Sequence, residues 1–555
     1  MGIQRNKFAI PQVPRSRGTK STTVIQPLFD FSYLVPQDRT GWPVWPQMEN
    51  MQVKDGLIQP RSCLSRFDFP EGPGGSSTSL LNSDIPLYEF TAQSRTGQEV
   101  LFLVSAGTLI QLTSASGSSW TRVTGPAFSS TATKGLGFYE GVYDHTELWY
   151  DSDSTKYAVL TNWLEPPKKV PVVQTVPGQA SYISSFLSVS SYARFCESFD
   201  ERLVFFAERV EGGQSREYRA RWSVRGSAMS LQEEGSGFQD LESMTGIASG
   251  LIKYGNELLL FTTEQIWRAT ARKDAFAFDF APLVENSGCL IPHTLKVTSK
   301  GPIFLGKDWR FHLLQNNQAI PISDRARGNI HQHLQRTARE LPLSFSVYNQ
   351  DEKLYAFFYS DTTGNYPERA FVLDVDSITP TEEGTLVGNW WLWTFPYQLS
   401  TGAATLRVTS AAMSAFLFPR VMGIARTTGR AETFLSSQTN DTGTDITFQL
   451  ESSNIVVGKD TPYNVVKATE LLLSYWATAN STSTVSVFAG APGTTQVEVG
   501  SVGLSGSAGQ DAFIPLGMQA ERVPQITFYF HPVLGGEPKI GKIQLTLRAY
   551  SGKMD

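Results

Sequence analysis

The sequence is poor in cysteine and has no long apolar run. Its three cysteines, Cys63, Cys196 and Cys289, lie 133 and 93 residues apart, which matches neither a disulfide framework nor a zinc knuckle. No run of about 18 consecutive apolar residues occurs, which excludes a membrane-spanning helix. No apolar segment follows Met1–Lys7, which excludes a secretory signal. We therefore expect a soluble protein that folds in a reducing cytoplasm.

Charge and catalytic motifs are also scarce. Charged residues make up 18% of the 555 residues, below the ~25% typical of soluble proteins, and the formal net charge is −5. Proteins that bind polyphosphates are normally basic, so the chain as a whole is not expected to be one. The sequence contains no phosphate-binding loop, no Gly-x-Ser-x-Gly nucleophile elbow and no His-Glu-x-x-His pair. We therefore expect neither an enzyme nor a cofactor or metal site.

Glycine, proline and aromatic residues are abundant. The chain has 46 glycines, 30 prolines and 12% aromatic residues. Aromatic side chains suit pleated sheets, while glycine and proline set the geometry of turns. This mixture predicts an all-β protein built from many short strands, and it excludes a helical bundle.

An apolar unit recurs along the first three quarters of the chain. Each copy places turn residues before four or five apolar or aromatic residues, and successive copies lie 57, 45, 55, 45 and 51 residues apart. This spacing is near the ~40–50 residues of one four-stranded propeller blade. We expect a β-propeller of six to eight blades over 48–437, with an elongated array of β-sandwiches as the structural alternative. The copies are anchored at Leu101, Ala158, Leu203, Leu258, Ile303 and Leu354, with a further unit near 421–435.

The composition changes after the repeats. Residues 436–445 are polar and read as a linker, and alternating strands separated by glycine-rich turns follow them. A C-terminal β-sandwich or jelly roll is therefore expected over 438–555.

The N-terminal segment, 1–47, is expected to be an extended arm. It is basic, and no acidic residue precedes Asp30. Two readings remain open: a disordered tail, or an arm that orders against a neighbouring subunit or a phosphate-rich surface. The candidate interaction residues are Arg5, Lys7, Arg15, Arg17 and Lys20.

One short motif is similar to the hairpin of sialidase-type propellers. Thr113–Trp120 follows the pattern Ser/Thr-x-Asp-x-Gly-x-Ser/Thr-Trp, with Ala115 in place of the aspartate, and we find a single copy. That hairpin is a structural turn, so it supports a propeller more than it supports sialidase chemistry.

Three stretches occur in an order that resembles a known family. The first is 49–61, with Asn50, Gly56 and Arg61. The second is Arg219–Ser223 followed by 235–241, and the third is the strand pair from Leu258 to Trp267. These stretches resemble the tail hub (nozzle) proteins of short-tailed bacteriophages, over about 48–325.

The resemblance implies a non-enzymatic virion protein. Such proteins form a ring, here a homo-hexamer, in the tail channel below the portal and adaptor. The ring holds a needle, docks fibres or spikes, and passes genomic double-stranded DNA without sequence-specific binding. Six copies would carry a charge of about −30, and an acidic conduit repels DNA. The implied location is the virion tail, assembled in the host cytoplasm, without membrane insertion.

Two other classes of function remain open from the residues alone. One is a carbohydrate-active or glycan-binding propeller of sialidase type. The other is a propeller scaffold that binds protein partners.

Overall fold

The computed structural model describes the strands of the chain and many of their connections. It covers residues 20–25, 47–54, 57–60, 63–67, 86–97, 99–105, 108–112, 120–126, 143–150, 155–173, 179–183, 192–209, 215–226, 230–272, 277–324, 330, 344–359, 367, 369–381, 385–394, 408–414, 420–425, 430–435, 440–441, 444–445, 449–451, 455–456, 465–476, 483–490, 497–504, 510–515, 525–530 and 539–550.

The described residues form an all-β protein, which confirms the all-β part of the expected fold. They include the short 3-10 helix Pro292–Thr294, and none of their helices is long and apolar enough to cross a bilayer. Contacts divide the chain into two units. Unit 1 comprises 1–63, 389–394 and 436–555, and unit 2 comprises 64–388 and 395–435. The chain begins with β1 (Lys20–Ile25), β2 (Gln47–Glu49), β3 (Met51–Lys54), β4 (Leu57–Pro60) and β5 (Cys63–Phe67).

Unit 2 contains seven groups of four strands, here called sheets 1 to 7, that follow one another along the chain. Six of them are separate four-stranded sheets, and sheet 6 is part of a ten-stranded sheet. In the first five sheets, every consecutive strand pair is antiparallel. Sheet 1 contains β6 (Pro86–Gln93), β7 (Glu99–Ser105), β8 (Thr108–Leu112) and β9 (Trp120–Val123). Sheet 2 contains β10 (Asp144–Tyr150), β11 (Thr155–Thr161), β12 (Lys168–Pro171) and β13 (Ser181–Tyr182). Sheet 3 contains β14 (Tyr192–Phe199), β15 (Arg202–Arg209), β16 (Ser215–Trp222) and β17 (Gly237–Asp240).

The next three sheets repeat the same order. Sheet 4 contains β18 (Ala248–Tyr254), β19 (Glu257–Thr262), β20 (Ile266–Ala271) and β21 (Phe278–Val284). Sheet 5 contains β22 (Lys296–Thr298), β23 (Gly301–Leu305), β24 (Phe311–Gln315) and β25 (Gln318–Pro321). Sheet 6 contains β26 (Phe345–Asn349), β27 (Leu354–Tyr359), β28 (Arg369–Pro380) and β29 (Leu386–Thr394), whose last six residues belong to unit 1.

Sheet 7 joins the two ends of the series. It contains β30 (Val408–Ser414), β31 (Arg420–Ala425) and β32 (Arg430–Leu435), and its fourth strand is β5, which precedes sheet 1 in the sequence. The first strands of neighbouring sheets lie side by side, sheet 4 meets sheet 5 through the 3-10 helix, and β30 returns to β6. This closed order is propeller-like, and it removes the exposed edges that an open series would leave at its two ends.

The six anchors of the sequence repeat all lie in second strands, namely β7, β11, β15, β19, β23 and β27. Second strands are buried on both faces, since Phe205 and Phe206 on β15 are 1% and 0% exposed although they point in opposite directions. Clusters of apolar side chains join neighbouring sheets; Trp222 of sheet 3, for example, packs with Leu258 and Phe278 of sheet 4. Burying each large apolar side chain contributes about 1.5–3 kcal/mol, so these faces hold the sheets together.

Unit 1 brings the N-terminal strands together with strands from the C-terminal region. The remaining strands are β33 (Asn440–Asp441), β34 (Thr444–Asp445), β35 (Gln449–Glu451), β36 (Ile455–Val456), β37 (Val465–Trp476), β38 (Ser483–Gly490), β39 (Val497–Leu504), β40 (Gln510–Pro515), β41 (Gln525–Phe530) and β42 (Lys539–Tyr550). In one sheet the order is the end of β29, β2, β35, β41, β38 and β39. In another it is β3, β4, β42, β37 and β40, with β1 beside β42.

This division differs from the boundaries that the sequence suggested. Residues 48–63, expected in the propeller, group with 436–555, and β1, expected in an extended arm, pairs with β42 of the same chain. The physical reason is strand pairing over long sequence distances, which leaves no local pattern to read. In the sialidase-like motif, 113–119 lie outside the described residues, and Trp120 begins β9.

Candidate functional site

Six polar side chains meet where the first strands of unit 2 converge. They come from four of the seven sheets and from the 3-10 helix, and each is half-buried. We call them the central cluster: Tyr88 on β6, Asp144 and His145 on β10, Glu197 on β14, His293 in the 3-10 helix and Lys296 on β22. The order of the sheets, rather than closeness in sequence, brings these residues together.

Aromatic rings occupy the middle of the cluster. The Tyr88 hydroxyl lies 2.7 Å from Nδ1 of His145, and the Tyr88 ring lies 5.5 Å from the ring of His293. Phe90 packs 4.5 Å from the His145 ring on the same side. Because Tyr88 belongs to sheet 1 and His293 precedes sheet 5, their contact crosses the centre. Side chains therefore fill the centre of unit 2 at this level.

Both imidazoles of the cluster are neutral. Burial lowers the pKa of His145 and of His293 to about 3 in each case, and the positive charge of Lys296 adds to the shift. A neutral imidazole has one donor and one acceptor nitrogen. We assign the phenol of Tyr88 as the donor to Nδ1, since a phenol is the better donor. Nε2 of His145 then carries the proton.

The two carboxylates accept hydrogen bonds, two of them between β10 and β14. The backbone N–H of Cys196 donates to Oδ2 of Asp144 at 3.0 Å. The hydroxyl of Thr146 and the N–H of Ser198 each donate to Oε1 of Glu197 at 2.9 Å. The bonds made by Cys196 and Thr146 tie β10 to β14, and all three hold the carboxylates in place.

Burial shifts the pKa values of the carboxyl groups and of the lysine in the cluster. It raises the pKa of Asp144 to about 7, although the Cys196 N–H opposes the shift. Burial also raises the pKa of Glu197, and the two carboxylates repel each other. Burial lowers the pKa of the Lys296 ammonium, which Asp144 partly restores. Perturbed pKa values in a cleft are a mark of functional sites, although structural networks also produce them.

The arrangement offers proton donors and acceptors but no metal centre. Among the described residues, no three histidine, cysteine, aspartate or glutamate side chains are placed to hold a metal ion. Asp144 exchanges a proton near neutral pH, His145 and His293 present neutral N–H donors, and Lys296 supplies a cation. The arrangement therefore suits acid–base chemistry or the binding of a small polar ligand.

A second polar feature lies in the outer half of sheet 3. The guanidinium of Arg221 donates to both oxygens of Glu208, at 2.8 and 3.1 Å, and Arg219 pairs with Asp240 at 2.7 and 2.8 Å. Arg219 lies 4.1 Å above the ring of Phe238, which is 51% exposed on β17. Glu208 is buried, so this network replaces the water that its carboxylate loses on folding.

The residues that sequence reasoning selected lie elsewhere. Arg5, Lys7, Arg15 and Arg17 are outside the described residues. Lys20 begins β1 opposite Arg548 of β42. Lys20 does not belong to the central cluster, and the sequence alone did not predict that cluster. The available signal was weak: His145 and His293 each lie at or just before the first strand of a sheet.

Comparison with known proteins gives a limited result. No family model and no curated protein matches the sequence. A glycoside hydrolase family 43 arabinoxylan arabinofuranohydrolase from Bacillus subtilis in complex with cellotetraose is 9% identical over 85% of this chain and 98% of that one, with a TM-score of 0.24. Apo AztD from Citrobacter koseri is 11% identical over 63% of this chain and 87% of that one, with a TM-score of 0.32. Similarity at this level supports no conclusion about function.

Proposed function

We propose that this chain is a structural protein of the tail of a short-tailed bacteriophage. Six copies form a ring in the tail channel, connect to the adaptor and portal, retain the genomic DNA and then let it pass. The ring also docks a needle and the tail fibres or spikes. In this role the chain has no catalytic activity, and its place is the virion after assembly in the host cytoplasm.

The observation that carries the proposal is the mutual contact of the residues that resemble the family. Trp222 ends β16, and its indole lies over Gly237, the first residue of β17, so closely that a Cβ at Gly237 would be 3.0 Å from the ring. The next residue, Ser223, accepts the N–H of Leu203 at 2.9 Å. The Arg-Trp-Ser stretch and the glycine-aromatic stretch therefore depend on each other, which supports reading them as one structural signature.

The filled centre of unit 2 indicates how a conduit would be built. Rings of Tyr88 and His293 meet across that centre with 5.5 Å between their centroids. A DNA duplex, whose major groove alone is about 12 Å wide, does not fit there. In the proposed role, DNA therefore passes between chains, through a lumen enclosed by the ring. A cyclic ring requires two different complementary faces on each chain.

We extend the proposal to the number of blades and to the fold of the C-terminal region. We take unit 2 to be a seven-bladed β-propeller in which β5 closes the ring, and the C-terminal region to be a β-sandwich. Arg5, Lys7, Arg15 and Arg17 then belong to a basic segment ahead of β1. We place this segment against a neighbouring chain or the adaptor.

Electron cryo-microscopy of particles that carry this chain tests the proposal. The expected result is a six-fold ring below the adaptor into which six copies of the seven sheets fit, with the lumen between chains. A tail whose density is fully explained by other proteins would contradict it.

One observation favours a second function, a carbohydrate-active propeller. Asp144 and Glu197 are two carboxyl groups on neighbouring strands with raised pKa values. Glycoside hydrolysis uses such a pair as acid and as base or nucleophile. Hydrolysis of a glycan panel by the wild-type chain, abolished in Asp144→Asn and Glu197→Gln, would establish this function. Equal inactivity of the wild type and both variants would exclude it.

A further inference from the structure

Glu89 is a buried carboxyl group without a hydrogen bond in the described part of the chain. It lies on β6 and is 4% exposed, and neither of its carboxyl oxygens has a hydrogen-bond partner there. A buried polar group without a partner costs free energy, and a buried unpaired charge costs far more. Burial accordingly raises the pKa of Glu89 well above its ordinary value of 4.5. The folded chain therefore keeps this proton to a higher pH than an ordinary glutamate does.

Glu89 faces the junction between sheets 1 and 7. Its neighbours on β6, Tyr88 and Phe90, point to sheet 2, where both contact the ring of His145. Successive side chains of a strand point to opposite faces, so Glu89 points away from sheet 2. On that other side, β6 lies beside β30, the first strand of sheet 7. Glu89 thus lies where the closed order of the sheets returns to its start.

The strands packed against β6 are β7, β30 and β10, and the surroundings they give Glu89 are apolar. Directly opposite Glu89 on β7 is Leu103, which is fully buried. The ionisable residue of β7, Glu99, lies opposite Gln93 near the other end of β6. No residue of β30 is ionisable. The ionisable residues of β10 belong to sheet 2, on the opposite side: Asp144, His145, Glu147 and Tyr150.

We propose that the protonation of Glu89 controls the closure of the sheet ring: the junction of sheets 1 and 7 stays closed while Glu89 keeps its proton, and loss of the proton opens it. An ionised carboxylate regains water when β6 separates from β30. In the opened chain Glu89 has its ordinary acidity, so opening becomes up to about tenfold more favourable for each pH unit above the ordinary pKa. This behaviour belongs to the single chain and does not depend on the proposed tail role.

Hydrogen exchange of the full chain, measured by mass spectrometry, tests the proposal. Wild type and Glu89→Gln are compared at the same pH in peptides from β7 and β30, so that the intrinsic exchange rates cancel. The ratio of the wild-type rate to the variant rate should rise at least about tenfold between about pH 5 and about pH 8. In peptides from β19 of sheet 4 the ratio should stay constant. Glu264→Gln is the matched control: its side chain is 45% exposed and pairs with Lys307, and it should behave as wild type at both pH values.

Two further readouts keep the test decisive if Glu89→Gln does not fold. Glu89→Met removes the carboxyl group but keeps a side chain of similar size, and it should show the same pH-dependent ratio. In the wild type alone, the protection of β30 relative to that of β19 should fall between the two pH values. A ratio that does not change with pH would overturn the proposal. An equal rise in every sheet would also overturn it, because the effect would then not belong to the junction.

Discussion

Asn50 and Thr394 form a reciprocal pair although they lie 344 residues apart. Nδ2 of Asn50 donates to the hydroxyl of Thr394 at 2.9 Å, and the backbone N–H of Thr394 donates to Oδ1 of Asn50 at 2.8 Å. The backbone N–H of Asn50 also donates to the carbonyl of Leu392 at 2.9 Å. Together these bonds hold the segment after β2 against the end of β29 inside unit 1.

Asn50→Ala should therefore destabilise the protein by about 2–4 kcal/mol. The change removes two buried hydrogen bonds and places alanine at a φ of 59°, a left-handed conformation that asparagine tolerates better. Thr394→Val removes the hydroxyl alone and should cost less. Urea unfolding of both variants and of the double variant measures their coupling; additive losses would mean that the pair is not a unit.

Gly237→Ala should cost about 1–3 kcal/mol, because the new methyl group would press on the Trp222 indole. Gly503→Ala is the matched control. It also lies within a strand, but nothing lies within 4 Å of its added Cβ, so no loss is expected. Thermal unfolding of the two variants compares them directly. Equal melting temperatures would show that Trp222 does not need a glycine beside it.

Arg221→Met should destabilise sheet 3 by about 3 kcal/mol, because it leaves the buried carboxylate of Glu208 with only the more distant Arg219, at 3.6 Å. Arg225→Met provides the comparison, in the turn that follows β16 of the same sheet. Arg225 is 54% exposed in its pairs with Asp200 and Glu201, so its loss should cost less than about 1 kcal/mol. Chemical denaturation distinguishes the two, and a larger loss in Arg225→Met would refute this account of the network.

The sequence predicted the all-β class and the positions of the repeats for a clear physical reason. Second strands are buried on both faces and therefore read as short apolar runs, such as the one around Leu258. The strand pairs formed by distant segments of the chain leave no such apolar pattern in the sequence. The pairing of β5 with β32 and of β1 with β42 joins segments far apart in sequence, and each strand looks locally like any other.

The central cluster was hidden from the sequence for a related reason. Tyr88, His145 and His293 are single polar residues beside apolar ones, and their spacing follows no motif. Only the closed order of the sheets brings them together. A motif search detects sites whose residues are close in sequence. It does not detect a site whose residues come together only when the sheets close into a ring.

Asp144→Asn should change how stability depends on pH. Burial raises the folded-state pKa of Asp144 to about 7 from its ordinary 3.8, so the unfolded chain releases this proton first. The wild type therefore loses stability as pH rises from about 4 to about 7, and the loss is complete above that range. The amide that replaces the carboxyl group in the variant does not titrate in this range.

The free energy of unfolding of Asp144→Asn, relative to wild type, should accordingly increase from about pH 4 to about pH 7 and then level off. Denaturant titrations across this range measure the difference. Glu89, whose pKa burial also raises, occurs in both proteins, so its contribution cancels. A pH-independent difference would show that Asp144 titrates normally.

Quantitative mass spectrometry of purified virus particles that carry this chain tests the central claim most directly, by scaling its abundance to the portal protein. A six-fold ring predicts about six copies per twelve-subunit portal. About three or about eighteen copies would indicate a needle or spike component instead. Absence of the chain from the particles would contradict the tail role altogether.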